Sequence, residues 1–117
     1  MREVLVQIPA NTGGLTVYVP AFTNCTVLGA KVVNNTAPGG SGCAISLAVG
    51  STTIGTVTVG AADGAATVSS MVMNATLATR KTAVTAAAPL KVVAAASTNS
   101  TAYDVLVRFD DSALTRD

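Results

Sequence analysis

Apolar and polar residues alternate with a period of two along most of this chain, in short runs that end at glycine, proline or asparagine. Alternation of this kind is typical of β-strands that bury one face. We therefore predict about eight strands, with 74–79 and 81–85 continuing the β character around Arg80. The runs lie within 2–8, 15–19, 26–33, 43–49, 52–59, 74–79, 81–85, 90–95 and 102–110.

Two runs show which side chains should face the core. The runs at 43–49 and 52–59 flank Gly50-Ser51 and predict a hairpin. Its inward row should be Cys43, Ile45, Leu47 and Val49. The run at 102–110 has the strongest alternation, which places Tyr103, Val105, Val107 and Phe109 on one face.

The segment from 60 to 73 alternates least. There Asp63 is a candidate cap for a short helix near 64–73, in which Val68, Met71 and Val72 would share a face. No long helix recurs between the strands to connect a parallel sheet. The pattern therefore predicts an all-β, antiparallel β-sandwich of jelly-roll type.

The length of 117 residues fits a single domain, 1–117, and no internal repeat is visible. Residues 112–117 read as a mobile C-terminal tail. The N-terminus lacks the apolar region and the cleavage site of a signal peptide, so we expect synthesis and folding in the cytoplasm.

Charged residues are scarce, at 11% of the chain, and the net charge is +1. This balance indicates no nucleic acid or anionic membrane as partner, and no apolar run is long enough for a spanning helix. A surface of Thr, Ser, Asn, Gly and Ala instead suits burial in an assembly. We expect self-association or incorporation in a larger particle.

Residues that could carry catalysis are few. Histidine is absent, which closes the Ser-His, Cys-His and His-metal routes. The carboxylates show no convergence in the predicted strand layout: Glu3, Asp63, Asp104, Asp110, Asp111 and Asp117. The glycine run before Cys43 lacks a following Lys-Ser/Thr and a helix, so it predicts a hairpin connection and not a phosphate loop. The sequence thus predicts no enzyme and no catalytic, cofactor or metal site.

The two cysteines, Cys25 and Cys43, are too few for a disulfide framework. We interpret them as reduced thiols that act as small core hydrophobes, with a single Cys25–Cys43 bridge as the alternative.

Several stretches together carry a likeness to a known group of proteins. They are VPAFT (19–23), VLGAKVV (27–33), the glycine-rich loop, CAISLAVGSTTIG (43–55), PLKVV (89–93) and YDVLVRFD (103–110). In composition and strand rhythm the chain resembles the small β proteins of tailed-bacteriophage virions, especially jelly-roll capsid decoration, or cement, proteins.

This resemblance implies a structural protein on the virion capsid surface, a homotrimer that binds the major capsid protein and stabilises the head. The residues expected at the capsid or subunit interface are Arg2, Glu3, Val4 and Leu5, with Arg80 and Lys81. The alternatives are a β-domain of the tail, neck or baseplate, and a sugar-binding or adhesion module on the virion surface.

Overall fold

Nine β-strands and no helix are formed by the residues that the computed structural model describes, 2–19, 26–73 and 89–110. The alternating runs of the sequence become these strands, because each buries one face. They are β1 (Arg2–Asn11), β2 (Leu15–Val19), β3 (Thr26–Asn34), β4 (Cys43–Val49), β5 (Thr52–Val59), β6 (Val68–Ser70), β7 (Val72–Met73), β8 (Leu90–Ala94) and β9 (Thr101–Asp110).

The strands form two antiparallel sheets that pack as a sandwich. The first sheet has the order β1-β9-β3-β6 and the second has the order β2-β8-β4-β5-β7. Strands from the start of the chain lie beside strands from its end: β1 beside β9 in the first sheet and β2 beside β8 in the second. This arrangement is that of a jelly roll, which consists of two Greek keys. The predicted all-β sandwich of jelly-roll type is therefore confirmed.

The core lies between the two sheets and consists mainly of branched aliphatic side chains. Its aromatic members, Tyr103 and Phe109, are each 2% exposed. The predicted inward row of the hairpin is also confirmed, because Cys43, Ile45, Leu47 and Val49 are all buried. Ala44, on the other face, is exposed, whereas Ala48 is buried on that face as well.

The hairpin between β4 and β5 has the predicted two-residue turn, with Val49 opposite Thr52. Gly50 has a φ of 61°, as the first central position of a type II′ turn requires. The register then shifts, since Leu47 opposes Gly55 and Ala48 opposes Thr53. Ile54 is the extra residue of this bulge, and it is 1% exposed.

The predicted short helix near 64–73 is wrong. Val68–Ser70 pairs with β3 in the first sheet, and Val72–Met73 pairs with β5 in the second. Between them the buried Met71 marks the place where the chain crosses from one sheet to the other. Of the three residues expected to share a helical face only Met71 is buried, whereas Val68 and Val72 are exposed. Asp63 caps a turn instead, where its Oδ2 accepts a hydrogen bond from the Gly60 amide at 2.8 Å.

The glycine-rich segment after β3 is not a hairpin connection, because it leads from the first sheet to β4 in the second. It is held by hydrogen bonds from the Asn99 amide to the Pro38 carbonyl oxygen, at 2.9 Å, and from Asn99 Nδ2 to the Ala37 carbonyl oxygen, at 3.1 Å. The strands predicted at 74–79 and 81–85, and the tail at 112–117, lie outside the described residues.

Candidate functional site

The N-terminal strand β1 forms one edge of the first sheet and holds four of the residues expected at an interface. Glu3 and Leu5 point outward and are exposed, whereas Val4 points inward and packs against the core. Arg2 pairs with Phe109 through the backbone, and its side chain lies outside the described part of the structure. The other two expected residues, Arg80 and Lys81, also lie outside it.

The outer face of the first sheet carries apolar side chains in register between charged ones. Leu5 opposes Leu106 of β9, and Leu106 opposes Lys31 of β3. Leu5 is 55% exposed, and Val68, at the opposite edge of the sheet, is 59% exposed. Leu5 and the half-buried Leu106 are adjacent on this face, whereas Val68 lies apart from them at the other edge.

An ion pair joins the edge strand β1 to its neighbour β9 on this face. Arg108 Nε lies 3.6 Å from Glu3 Oε2, and both side chains are about half exposed. A pair this open to solvent contributes no more than about 1 kcal/mol to the free energy of unfolding. It therefore fixes the direction of the two side chains more than it stabilises the sheet.

Two shallow depressions lie along the first sheet. The smaller, of about 170 Å³, is lined by Glu3, Ala30, Lys31, Ser70, Leu106 and Arg108. The larger, of about 430 Å³, is lined by Val33, Asn34, Asn35, Ala65, Ala66, Ala102, Tyr103 and Asp104. The lining of the larger one includes a single carboxylate, that of Asp104, and its walls are mostly small side chains.

Among residues 2–19, 26–73 and 89–110 no three His, Cys, Asp or Glu side chains come together as a group that could hold a metal ion. The described carboxylates are spread apart. Glu3 is paired with Arg108, Asp63 caps its turn, and Asp104 is exposed on the outer face. The side chain of Asp110, and all of Asp111 and Asp117, lie outside the described residues.

A polar cluster is buried at the end of the sandwich, where β3 leaves the first sheet. Asn34, 1% exposed, donates through Nδ2 to the carbonyl oxygens of Asp63, Gly64 and Thr36, at 2.8, 3.0 and 2.9 Å. Its Oδ1 is buried without a hydrogen-bond partner. Three backbone acceptors on one side fix the orientation of the amide, so Asn34 ties the end of β3 to the 63–64 turn.

The sequence prediction missed this residue, because the predicted strand at 26–33 ended one residue before Asn34. Asn34 is in phase with Ala30 and Val32, which are both buried, and this spacing could have indicated that Asn34 points inward. An asparagine on the inward face of a strand needs hydrogen-bond partners in the interior.

Tyr103 of β9 lies opposite Asn34 of β3. Its hydroxyl is buried without a hydrogen bond. Burial raises the pKa of Tyr103, and the neighbouring Cys43 thiol raises this pKa further. Cys43 is a free thiol, and its Sγ donates to the Ala95 carbonyl oxygen at 3.2 Å. Its predicted role as a small core hydrophobe is confirmed, whereas Cys25 lies outside the described residues.

Neither protein-family models, nor curated protein sequences, nor solved structures give a match to this chain. In the described part of the chain, no helix is long and apolar enough to cross a membrane.

Proposed function

We propose that this protein is a non-enzymatic structural subunit of a bacteriophage particle, which binds the outer capsid lattice as a decoration protein and stabilises the head. The observation that carries the proposal is the strand order, β1-β9-β3-β6 against β2-β8-β4-β5-β7. Jelly rolls with this wrapping recur in viral capsid proteins, and also in lectins and cupins. The step from fold to function is an analogy and needs support from the surface.

The surface supports assembly over catalysis. The outer face of the first sheet presents exposed aliphatic residues, Leu5 and Val68, together with charged side chains such as Glu3 and Arg108. A contact made by such a face is weak for one subunit. When it is repeated over a symmetric shell, many weak contacts add to firm attachment.

The proposal is tested by quantitative mass spectrometry of purified phage particles from the host that produces this protein. A head decoration protein is expected in hundreds of copies per particle, in proportion to the major capsid protein. A few to tens of copies would assign the protein to the tail, neck or baseplate instead. Absence from particles would reject a virion role altogether.

A binding experiment distinguishes the lattice from a sugar ligand. Purified protein is mixed with empty heads and, separately, with immobilised glycans. Co-sedimentation with heads that saturates at a fixed ratio to the coat protein supports the proposal. Glycan binding without head binding would favour an adhesion module and overturn it.

A further inference from the structure

The edge of the first sheet formed by β1 is regular over most of its length. Every residue from Arg2 to Ile8 pairs with β9, and the register shifts only between Ile8 and Asn11. No described strand pairs with the other side of β1. Residues 2–8 therefore present a row of backbone amide and carbonyl groups to which another strand can bind.

This edge lacks the features that usually prevent pairing between molecules. Natural edge strands are protected by lysines, prolines, bulges or charges that point inward. Between residues 3 and 8 there is no lysine or proline, and the inward side chains are Val4, Val6 and Ile8. Arg2, in phase with them at the start of the strand, has a side chain outside the described part of the structure. The proline and the bulge come only after Ile8, beyond the regular stretch.

We propose that a second copy of this chain binds here, its β1 antiparallel to the first β1, so that two four-stranded sheets become one continuous sheet. The inference deepens the proposed function, on which its role in a particle rests, by assigning β1 to contact between subunits. The resemblance to decoration proteins implies trimers, whereas pairing of like edges gives a two-fold dimer.

The register of this contact follows from the bounds of the regular stretch. Inward residues must oppose inward residues, because the faces of the joined sheet must match. Only the register symmetric about Leu5 pairs all seven residues from 2 to 8. It places Leu5 opposite Leu5 of the second copy, and Val4 opposite Val6 of the second copy.

In this register the side chains from Glu3 to Gln7 are complementary. Because Leu5 also opposes Leu106 within each chain, four leucines form one row across the joined sheet. Glu3 opposes Gln7 of the second copy, whose amide can donate to the carboxylate. A register centred on Glu3 would instead oppose two carboxylates and pair fewer residues.

The packing between the sheets on this side also leaves room for a partner. At this side the edge strands are β1 and β2, which the 12–14 connection joins. Their inward residues Val4, Leu15 and Val17 are only partly buried, although they pack against the core. A second copy paired to β1 would cover more of Val4.

The first test measures the mass of the purified protein by sedimentation equilibrium across a concentration series. We expect a monomer–dimer equilibrium, and we expect Leu5→Lys to raise the dissociation constant at least about tenfold, because it sets two ammonium groups face to face at the axis. Val68→Lys is the matched control, since Val68 is equally exposed on the same sheet face but at the opposite edge. Its dissociation constant should match that of the unaltered chain.

The second test reads the register. Gln7→Glu should weaken the dimer, because it faces Glu3 of the second copy, and Gln7→Lys should strengthen it. In a Cys25→Ser background, Leu5→Cys should form a covalent dimer on oxidation, and Val68→Cys should not. Circular dichroism and thermal unfolding of each variant show that the fold is retained.

Three results would overturn the inference: a mass of one chain at all concentrations, a mass of three chains, or equal effects of Leu5→Lys and Val68→Lys. None of these measurements involves particles. A dimer from a protein that is absent from particles would reject the proposed function and leave the contact standing, and a monomer found on heads would do the reverse.

Discussion

Replacing Gly42 with alanine should destabilise the fold strongly, because two costs coincide at this position. Gly42 has a φ of 89°, in the region that residues with a Cβ avoid. A Cβ at this position would also overlap the backbone carbonyl oxygen of Val59 and lie 3.3 Å from Thr58 Cγ2. Val59 is paired with Cys43, so the strand end cannot move away without disturbing the ladder.

The size of the effect can be worked out from two other glycines. Gly50 has a φ of 61° with nothing within 4 Å of the added Cβ, so Gly50→Ala isolates the backbone strain, about 1–2 kcal/mol. Gly13→Ala, with no contact and no positive φ, should be neutral or slightly stabilising. Overlap with a fixed backbone atom adds about 1–3 kcal/mol. We therefore expect Gly42→Ala to cost about 2–5 kcal/mol in total.

Urea unfolding followed by circular dichroism measures all three variants on one scale. The midpoint should fall in the order Gly13→Ala, Gly50→Ala, Gly42→Ala, and the melting temperature of the last should drop by about 8–20 °C. If Gly42→Ala and Gly50→Ala lose the same free energy within about 0.5 kcal/mol, the contact with Val59 is not a constraint and the reasoning fails.

Three further predictions concern the interior. Asn34→Ala should lower the free energy of unfolding in urea by about 2–4 kcal/mol, because three carbonyl oxygens lose their hydrogen-bond donor. A loss below about 0.5 kcal/mol would show that these oxygens accept hydrogen bonds from other donors. Val107→Ala, in the central part of β9, should cost about 2–3 kcal/mol, whereas Leu106→Ala on the outer face should cost less. The fold raises the pKa of Tyr103, so the unfolded chain loses its phenol proton at a lower pH than the folded protein does. The contribution of Tyr103 to the free energy of unfolding is therefore fully present below pH 10. Above pH 10 it falls by up to about 1.4 kcal/mol per pH unit. Tyr103→Phe should flatten this part of the pH profile, and an unchanged slope would contradict the assignment to Tyr103.

Strands bounded by clear turn signals were predicted best. β2, β4 and β5 have the bounds that the alternation indicates, because glycine, serine or proline ends each alternating run. Irregularities could not be read in the same way. Ile54 and Leu28 are extra residues where the register shifts, and a bulge depends on the partner strand as well as on the local sequence.

The candidate surface was predicted only as a segment. The sequence pointed to Arg2–Leu5, but not to the pairing of Leu5 with Leu106 or to the edge position of β1. Both depend on which strands become neighbours, and contacts between the first and last strands are set by the whole topology. Asn34 was missed for the same reason, because its acceptors at Asp63 and Gly64 come from a distant turn.

The strand that crosses between the sheets links the fold to the proposed assembly. Because β6 pairs with β3 in one sheet and β7 pairs with β5 in the other, the chain itself joins the sheets on that side. On the opposite side the short 12–14 connection joins β1 to β2, and Val4, Leu15 and Val17 stay partly exposed. Within the first sheet the other edge strand, β6, has 3 residues and β1 has 10, so β1 is the longer edge for adding a neighbour. A strand added at β1 continues the backbone hydrogen bonding of the first sheet. It also continues the apolar row that runs through Leu106 and Leu5.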